Sequence, residues 1–256
     1  MGRAAALAMS TIYILWLRQF KRYLRSKSRI VSSLGQPLLF LFAFGFGFGP
    51  IFQKAGQGNY IQFLTPGVIA MSILFTAVFS GIEIIWDRQF GFLKETLVAP
   101  VSRFNIMIGR TLGGTTVAVI QGLIVFAISF IAGFRVENIA FVPVALAFMF
   151  LIALLFTALG TAIASVLEDM QGFQLIMSFL VMPLFFLSGA LFPLQGLPKA
   201  ITAIMQVNPL SYGIDGLRYA LTNMGYFGLL PDFLALSIGT SILVIIGGYL
   251  FSKVQI

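Results

Sequence analysis

Long apolar runs separated by short charged stretches dominate the chain. Six stand out, at 30–52, 61–85, 106–134, 139–167, 173–192 and 233–252, each at least 20 residues long. A helix rising 1.5 Å per residue needs about 20 residues to cross the ~30 Å hydrocarbon core of a bilayer. The pattern predicts an all-α, polytopic membrane protein with six transmembrane helices, residues 1–256 forming a single transmembrane domain. The third and fourth runs exceed the need, so they tilt or project beyond the lipid. The first run is expected to be a retained span. It starts after 29 residues, is longer than a signal-peptide core, and no small-residue cleavage site follows it.

Composition supports lipid as the solvent. Hydrophobic residues make up 59% of the chain and charged residues 9%, against about 25% charged in an ordinary soluble domain. The 28 phenylalanines are cheap in hydrocarbon and an aggregation hazard in water. A net charge of +8 on a soluble protein would point to nucleic acid. Here the placement of the charges explains it. Arg3, Arg18, Lys21, Arg22, Arg25, Lys27, Arg29, Arg88, Lys94, Arg103 and Lys253 fall on one side of the predicted spans. Only Lys54, Arg135, Lys199 and Arg218 fall on the other, and Arg110 lies within the third span. The bias puts both termini in the cytoplasm of a cell-membrane protein, and no nucleic-acid partner is expected.

Cysteine and histidine are absent, which removes disulfides, thiolate chemistry and nearly every zinc site. No glycine-rich phosphate loop followed by Lys-Ser/Thr is present, so the chain is not expected to bind ATP in a P-loop. No nucleophile–base pair using histidine exists either. Catalytic residues, metal and bound cofactor are therefore not expected on this chain.

Three segments do not fit the spanning pattern. Within residues 1–29, the stretch 10–26 reads as an amphipathic helix carrying Arg18, Lys21, Arg22 and Arg25 along one stripe. Such a helix lies in the interface with its basic stripe toward lipid phosphates, or simply extends the first span. Residues 86–103 alternate charged and apolar positions, with Phe90, Leu93 and Leu97 on one face and Pro100 as a stop. That face packs on the protein's own helices and the membrane surface, or docks a soluble partner. Residues 193–231 are apolar but broken by Pro193, Gly196, Pro198, Pro209, Gly213 and Gly216. Two short helices, 198–207 and 211–224, joined at Asn208 and Pro209, would form an outer re-entrant hairpin.

Glu83 and Arg110 sit near the cytoplasmic ends of spans two and three, where they snorkel or pair with each other. No acidic residue falls at the middle of a span, which argues against a proton-driven pump. Gln36, Pro37, Gln121, Gln174 and Pro183 interrupt spans as helix glue, kinks or pathway residues.

The non-spanning segments also carry a resemblance. DRQFGFLKETLVAPVSR at 87–103, FLSGALFPLQGLP at 186–198 and NPLSYGIDGLR at 208–218, together with the order of basic helix and six spans, resemble the membrane subunit of a type-two ABC exporter. The pattern is most similar to the drug and antibiotic branch. Gln89-Phe90 departs from it, since an acidic residue is frequent before that glycine. The resemblance implies a coupling helix that uses Asp87, Arg88, Gly91, Leu93, Glu95, Leu97 and Pro100 to engage an ATP-binding cassette ATPase subunit. ATP and magnesium would sit on that partner. It implies a second permease copy or a homologue, most simply a homodimer. It also implies a pathway between the first, second and fifth spans, where Gln36, Phe40, Phe185 and Phe186 are the candidate lining. The expected activity is export of an amphiphilic drug or lipid-like compound. Alternatives are a polysaccharide or glycolipid exporter, a secondary transporter or channel without an ATPase, and a scaffold whose loop only recruits a partner.

Overall fold

Residues 2–56, 58–99, 101–193 and 197–254 are described by a computed structural model. Among them the regular structure is entirely helical. Helix α1 (Gly2–Arg25) turns at Ser26 into α2 (Lys27–Leu39). A π-helical segment, Phe40–Phe44, then leads into α3 (Gly45–Lys54). Pro37 has no amide to donate, and the wider π turn begins one turn beyond it. Together these form an apolar helix of 28 residues, Lys27–Lys54.

The second crossing, Tyr60–Gln89, consists of α4 (Tyr60–Phe79) and α5 (Ile82–Gln89), with Ser80 and Gly81 between them. A short α6 (Phe92–Val98) follows. Then come α7 (Arg103–Ser129) and α8 (Val142–Val166), the latter entered through a 3-10 turn at Ile139–Phe141. Helix α9 (Met170–Phe186) precedes the hairpin of α10 (Lys199–Val207) and α11 (Pro209–Thr222), and α12 (Leu229–Ser252) is last. Five helices are long and apolar enough to cross a membrane, and Met170–Phe186 is a shorter apolar sixth. The chain is a polytopic membrane protein of about six spans.

Two spans are shorter than their apolar runs. The third run was expected to reach 134, but α7 ends at Ser129 and turns follow, through Gly133 at φ +99°. The fifth was expected to reach 192, but α9 ends at Phe186. The left-handed Gly189 (φ +74°) re-aims the chain there. The Asn208 amide donates to the freed carbonyls of Leu184 (2.6 Å) and Leu187 (2.9 Å). Seventeen residues give a helix of about 26 Å.

Helix α4 is the centre of the bundle. From Phe63 to Leu74 every residue is buried, and α7, α8, α11 and α2 surround it. Glycines permit the closest approaches. A Cβ on Gly81 would strike the Gly160 carbonyl oxygen, and one on Gly160 would strike the Val78 carbonyl oxygen. The outer members are held far less. Helix α9 buries only the stripe Phe173, Met177, Val181 and Phe185, one residue per helical turn.

Charged caps show which ends share a side. Arg103, at the start of α7, donates to the carbonyls of Ser252 (2.9 Å) and Val254 (2.6 Å) at the end of α12. A cation on the last carbonyls of a helix also complements its dipole. The end of α12 therefore lies on the same side as α5 and α6. Helix α1 runs along α7, with Trp16 Nε1 donating to Thr116 Oγ1 (2.9 Å) and Tyr23 OH to Gln121 Oε1 (2.6 Å).

The Gly81–Gly160 contact can be tested by substitution. Gly160→Val forces side-chain atoms into a backbone carbonyl and should lower the melting temperature of the purified protein by more than about 6 °C. Gly47→Val, where an added Cβ meets nothing within 4 Å, should change it by no more than ~2 °C. Equal melting temperatures for the two variants would overturn the packing argument.

Candidate functional site

The water-facing elbow between α5 and α6 gathers most of the ionisable chemistry. Gly91 makes the bend, at φ +80°, a left-handed conformation that costs other residues roughly 1–2 kcal/mol. Its carbonyl accepts the first amide bonds of α6, from Lys94 N (3.0 Å) and Glu95 N (3.5 Å). Leu93 is buried and Leu97 packs on the core, four residues on. Phe90 does not join them on one face, as the sequence pattern suggested. The bend separates Phe90 from α6, and it stands 82% exposed at the tip. Val98 (79%), Lys94, Glu95 and Gln89 also point outward. Pro100 lies outside the described residues.

Asp87 is not part of that outward surface. It is 4% exposed and sits inside a net of guanidinium groups. Arg18 grips it with both nitrogens, at 2.8 and 3.1 Å, and Arg110 reaches it at 2.7 Å. One turn earlier, Glu83 takes Arg29 at 2.9 Å, Arg22 at 3.4 Å and the Gln19 amide at 3.3 Å. Arg110 thus pairs with Asp87, not with Glu83 as the sequence suggested. Arg18 also lies 3.6 Å over the Phe92 ring, which ties α6 into the same cluster. The basic stripe of α1 is therefore divided. Arg18 and Arg22 face carboxylates within the protein, while Lys21 and Arg25 are exposed.

Arg88 turns the other way and donates to the Ser165 (3.0 Å) and Leu167 (3.1 Å) carbonyls at the end of α8. The elbow is consequently pinned to α1, α2 and α7 through Asp87 and Glu83, and to α8 through Arg88. Sequence reasoning named Asp87 and Glu83 but missed Arg18, Arg22 and Arg29 as their counter-charges. A signal existed. Glu83 and Asp87 are four residues apart, as are Arg18 and Arg22, so two helices carry matching stripes.

The candidate pathway residues lie on the loosely held elements. Phe40, at the start of the π segment, meets Phe185 edge-on with ring centres 6.1 Å apart, and Phe185 meets Phe186 at 5.6 Å. Phe185 is buried and Phe186 exposed. Gln36 lies apart from them, on the wall of a hollow of about 230 Å³ shared with Arg29, Ser33, Ser72 and Thr76. Between α9 and α10 runs an open apolar groove of about 570 Å³, lined by Phe179, Leu184, Ile204 and Val207.

On the opposite side the hairpin is fastened by polar groups. Asn208 caps α11 through Leu210 N (3.0 Å) while holding the end of α9, and Pro209 occupies the first helical turn. Arg218 is buried and donates to the Phe63 (3.2 Å) and Gly189 (2.8 Å) carbonyls, its guanidinium 4.0 Å from the Phe63 ring centre. The Asp215 carboxylate accepts from Tyr226 N and Phe227 N. Asp232 is fully buried next to Asp215, and among the described residues no donor reaches either of its oxygens.

A family profile described as ABC-2 type transporter matches residues 10–222, from within α1 to the end of α11. The chain belongs to the ABC-2 type transporter family. It is 29% identical to ycf38 of Cyanophora paradoxa, named as a transport permease, over 95% of this chain and 88% of that one. It is 28% identical to the Inner membrane transport permease YadH of Escherichia coli K12, over 92% and 90%. It is 25% identical to Nodulation protein J of Rhizobium leguminosarum, over 80% and 79%. As an ABC-2 permease it is a transmembrane subunit of a transporter, and its family implies an ATP-binding cassette partner.

Two substitution sets probe these clusters. Asp87→Ala strips Arg110 of its closest counter-charge, and breaking a buried pair costs on the order of 3–5 kcal/mol. The melting temperature of the purified chain should fall by more than ~6 °C, with part of the loss recovered in D87A/R110L. A D87A protein as stable as the wild type would show that the net is dispensable. Asp232→Asn supplies a donor facing Asp215 and should be at least as stable as the wild type. D232L cannot hydrogen-bond Asp215 and should be the less stable of the two. The reverse order would contradict the pairing.

Proposed function

We propose that this permease works as a homodimer, exports an amphiphilic drug or lipid-like compound across the cell membrane, and is driven by an ATPase docked on the α5–α6 elbow. Both chain ends and the elbow would face the cytoplasm. The observation that carries the reading is the elbow itself. Its outward side exposes Phe90, Val98, Lys94 and Glu95, which have no ion-pair partner among the described residues, while its inward side is bonded to four helices, α1, α2, α7 and α8. An apolar tip ringed by charges suits a cleft on a soluble subunit. The bonded inward side suits the transmission of movement.

ATP and magnesium would be held by that ATPase, which supplies the energy of hydrolysis. A push on the tip would reach α1 and α7 through Asp87 and Glu83, and α8 through Arg88. Helices α2 and α9, with little buried surface, would yield most readily and open a route past Phe40, Phe185 and Phe186. The apolar groove between α9 and α10 and the phenylalanine-rich α2–α3 surface favour a substrate with a large apolar part. The continuous ring contacts from Phe44 through Phe48 to Tyr60 also suit a sugar-bearing lipid, which is the second reading. Membership of the ABC-2 family favours both over an ion-coupled transporter or a channel.

The test reconstitutes the permease with its ATP-binding cassette subunit in proteoliposomes. Glu95→Ala and Gly91→Ala should leave ATP hydrolysis measurable while cutting substrate export at least about tenfold. Phe90→Asp should lose co-purification of the ATPase, since a charge replaces the apolar contact at the tip. Export by the purified permease alone would sink the reading. Competition of a fluorescent amphiphile by glycolipid would select the second substrate class.

A further inference from the structure

We propose that the bend between α1 and α2 binds the phosphate headgroup of an anionic phospholipid, in the leaflet on the elbow side of the membrane. The site is a hollow of about 780 Å³ whose walls include Lys21, Arg22, Arg25, Ser26, Lys27 and Ser28. Its charge is unbalanced. The carboxylates that pair with its arginines, Glu83 and Asp87, line a separate small hollow and already serve Arg18, Arg22, Arg29 and Arg110. Lys21, Arg25 and Lys27 are exposed and have no carboxylate within 4.0 Å among the described residues. Lys21 and Arg25 stand four apart on one helix, where like charges repel. An anion in the hollow relieves that repulsion and takes charge-assisted hydrogen bonds from all three.

The backbone adds to the same field. Helix α2, 13 residues long, begins at Lys27, and Ser26 makes no side-chain cap bond to it. Its first turn, which includes the wall residues Lys27 and Ser28, thus carries no such cap at the positive end of the helix dipole.

The depth of the hollow selects a lipid. Gly122 packs on Ile73, Gly114 on Ser80, and Arg110 pairs with Asp87, so the elbow end of α4–α5 lies level with the start of α7. Arg29, bonded to Glu83, places the bend at the level where the charges of α1 give way to the apolar run of α2. Leu24 and Val31, one on each side of the bend, are exposed. A headgroup in the hollow would carry acyl chains past those side chains. A free phosphate would gain nothing from them. The expectation from sequence that the whole stripe Arg18, Lys21, Arg22 and Arg25 faces lipid is thus narrowed to Lys21 and Arg25, joined by Lys27.

The experiment uses the delipidated full-length chain in detergent. Thermal stabilisation is followed on titration with dioleoylphosphatidylglycerol, with dioleoylphosphatidylcholine as the neutral reference. The wild type should prefer phosphatidylglycerol, and the triple variant K21Q/R25Q/K27Q should weaken that preference at least about tenfold. Its response to phosphatidylcholine should not change. Lys94→Gln, a charge removed elsewhere on the same side, should keep the wild-type preference. Should the triple variant fail to fold, R25Q alone carries the same comparison at smaller amplitude. A wild-type preference retained by the folded triple variant, or by R25Q in its place, would overturn the site. Stabilisation of the wild type by millimolar inorganic phosphate or glycerophosphate equal to that by phosphatidylglycerol would overturn the lipid as its occupant.

Discussion

Two carboxylates one helical turn apart, Glu83 and Asp87, hold the water-facing end of this molecule together. Four guanidinium groups from three helices converge on them. Arg18, Arg22 and Arg29 are partly exposed and retain some hydration, so their pairs contribute modestly. Arg110 is different. Its side chain is 3% exposed, and a buried guanidinium without a counter-charge is among the most unfavourable groups a protein can carry. Asp87 thus makes the inward end of α7 tolerable. In doing so it fixes how α1, α5 and α7 sit against one another, because only one register brings both carboxylates under both arginine rows. Net stabilisation is the smaller part of what such a cluster does. Specifying the register is the larger part.

That register explains the uneven stiffness of the rest. Helices α4, α7 and α8 are joined by close glycine contacts and by buried side chains into one closely packed body. Helix α9 touches α4 along one residue per turn, and α2–α3 leaves most of its surface uncovered. Among the described residues, the polar fastenings of these helices to their neighbours lie near the helix ends. Asn208 and Arg218 hold the turn after α9, and Arg29 holds the start of α2. Between the fastenings the contact is largely apolar, as at the Phe40–Phe185 ring pair. An outer helix fixed near an end and sliding in its middle is a mechanical arrangement suited to opening a route along its length.

Much of this was legible in the residues. The six apolar runs, the same-side clustering of basic residues, the bend region at 86–103 and the Asn208–Pro209 junction each follow from short-range chemistry that a sequence displays directly. The misses share one cause. Phe90 was placed with Leu93 and Leu97 because helical spacing was extended across Gly91, and the left-handed glycine breaks that periodicity. Residues 187–192 were counted into a span because they are apolar. Whether apolar residues continue a helix depends on where its last carbonyls find donors, and the donor here is Asn208, 21 residues away from Leu187. The arginine stripe of α1 was assigned to lipid because its partners lie more than 50 residues on. Periodicity shows which side a stripe occupies, not what stands opposite it.

The position of the unpaired charges completes the physical picture. The core cluster takes as many cations as its two carboxylates can serve. The next cations along the same helix, Lys21 and Arg25, face outward. The chain thus divides one basic stripe between an internal and an external counter-ion. The internal one sets the register of α1. The external one, supplied by the membrane, would set how α1 and α2 meet the bilayer. Because Arg22 borders the hollow and also bonds Glu83, the two halves are not independent. A headgroup bound at the bend would alter the field at the carboxylates that hold α5, and α5 carries the elbow. An anion held at the bend would therefore be connected to the α5–α6 elbow through Arg18 and Arg22, which line the hollow and bond Asp87 and Glu83.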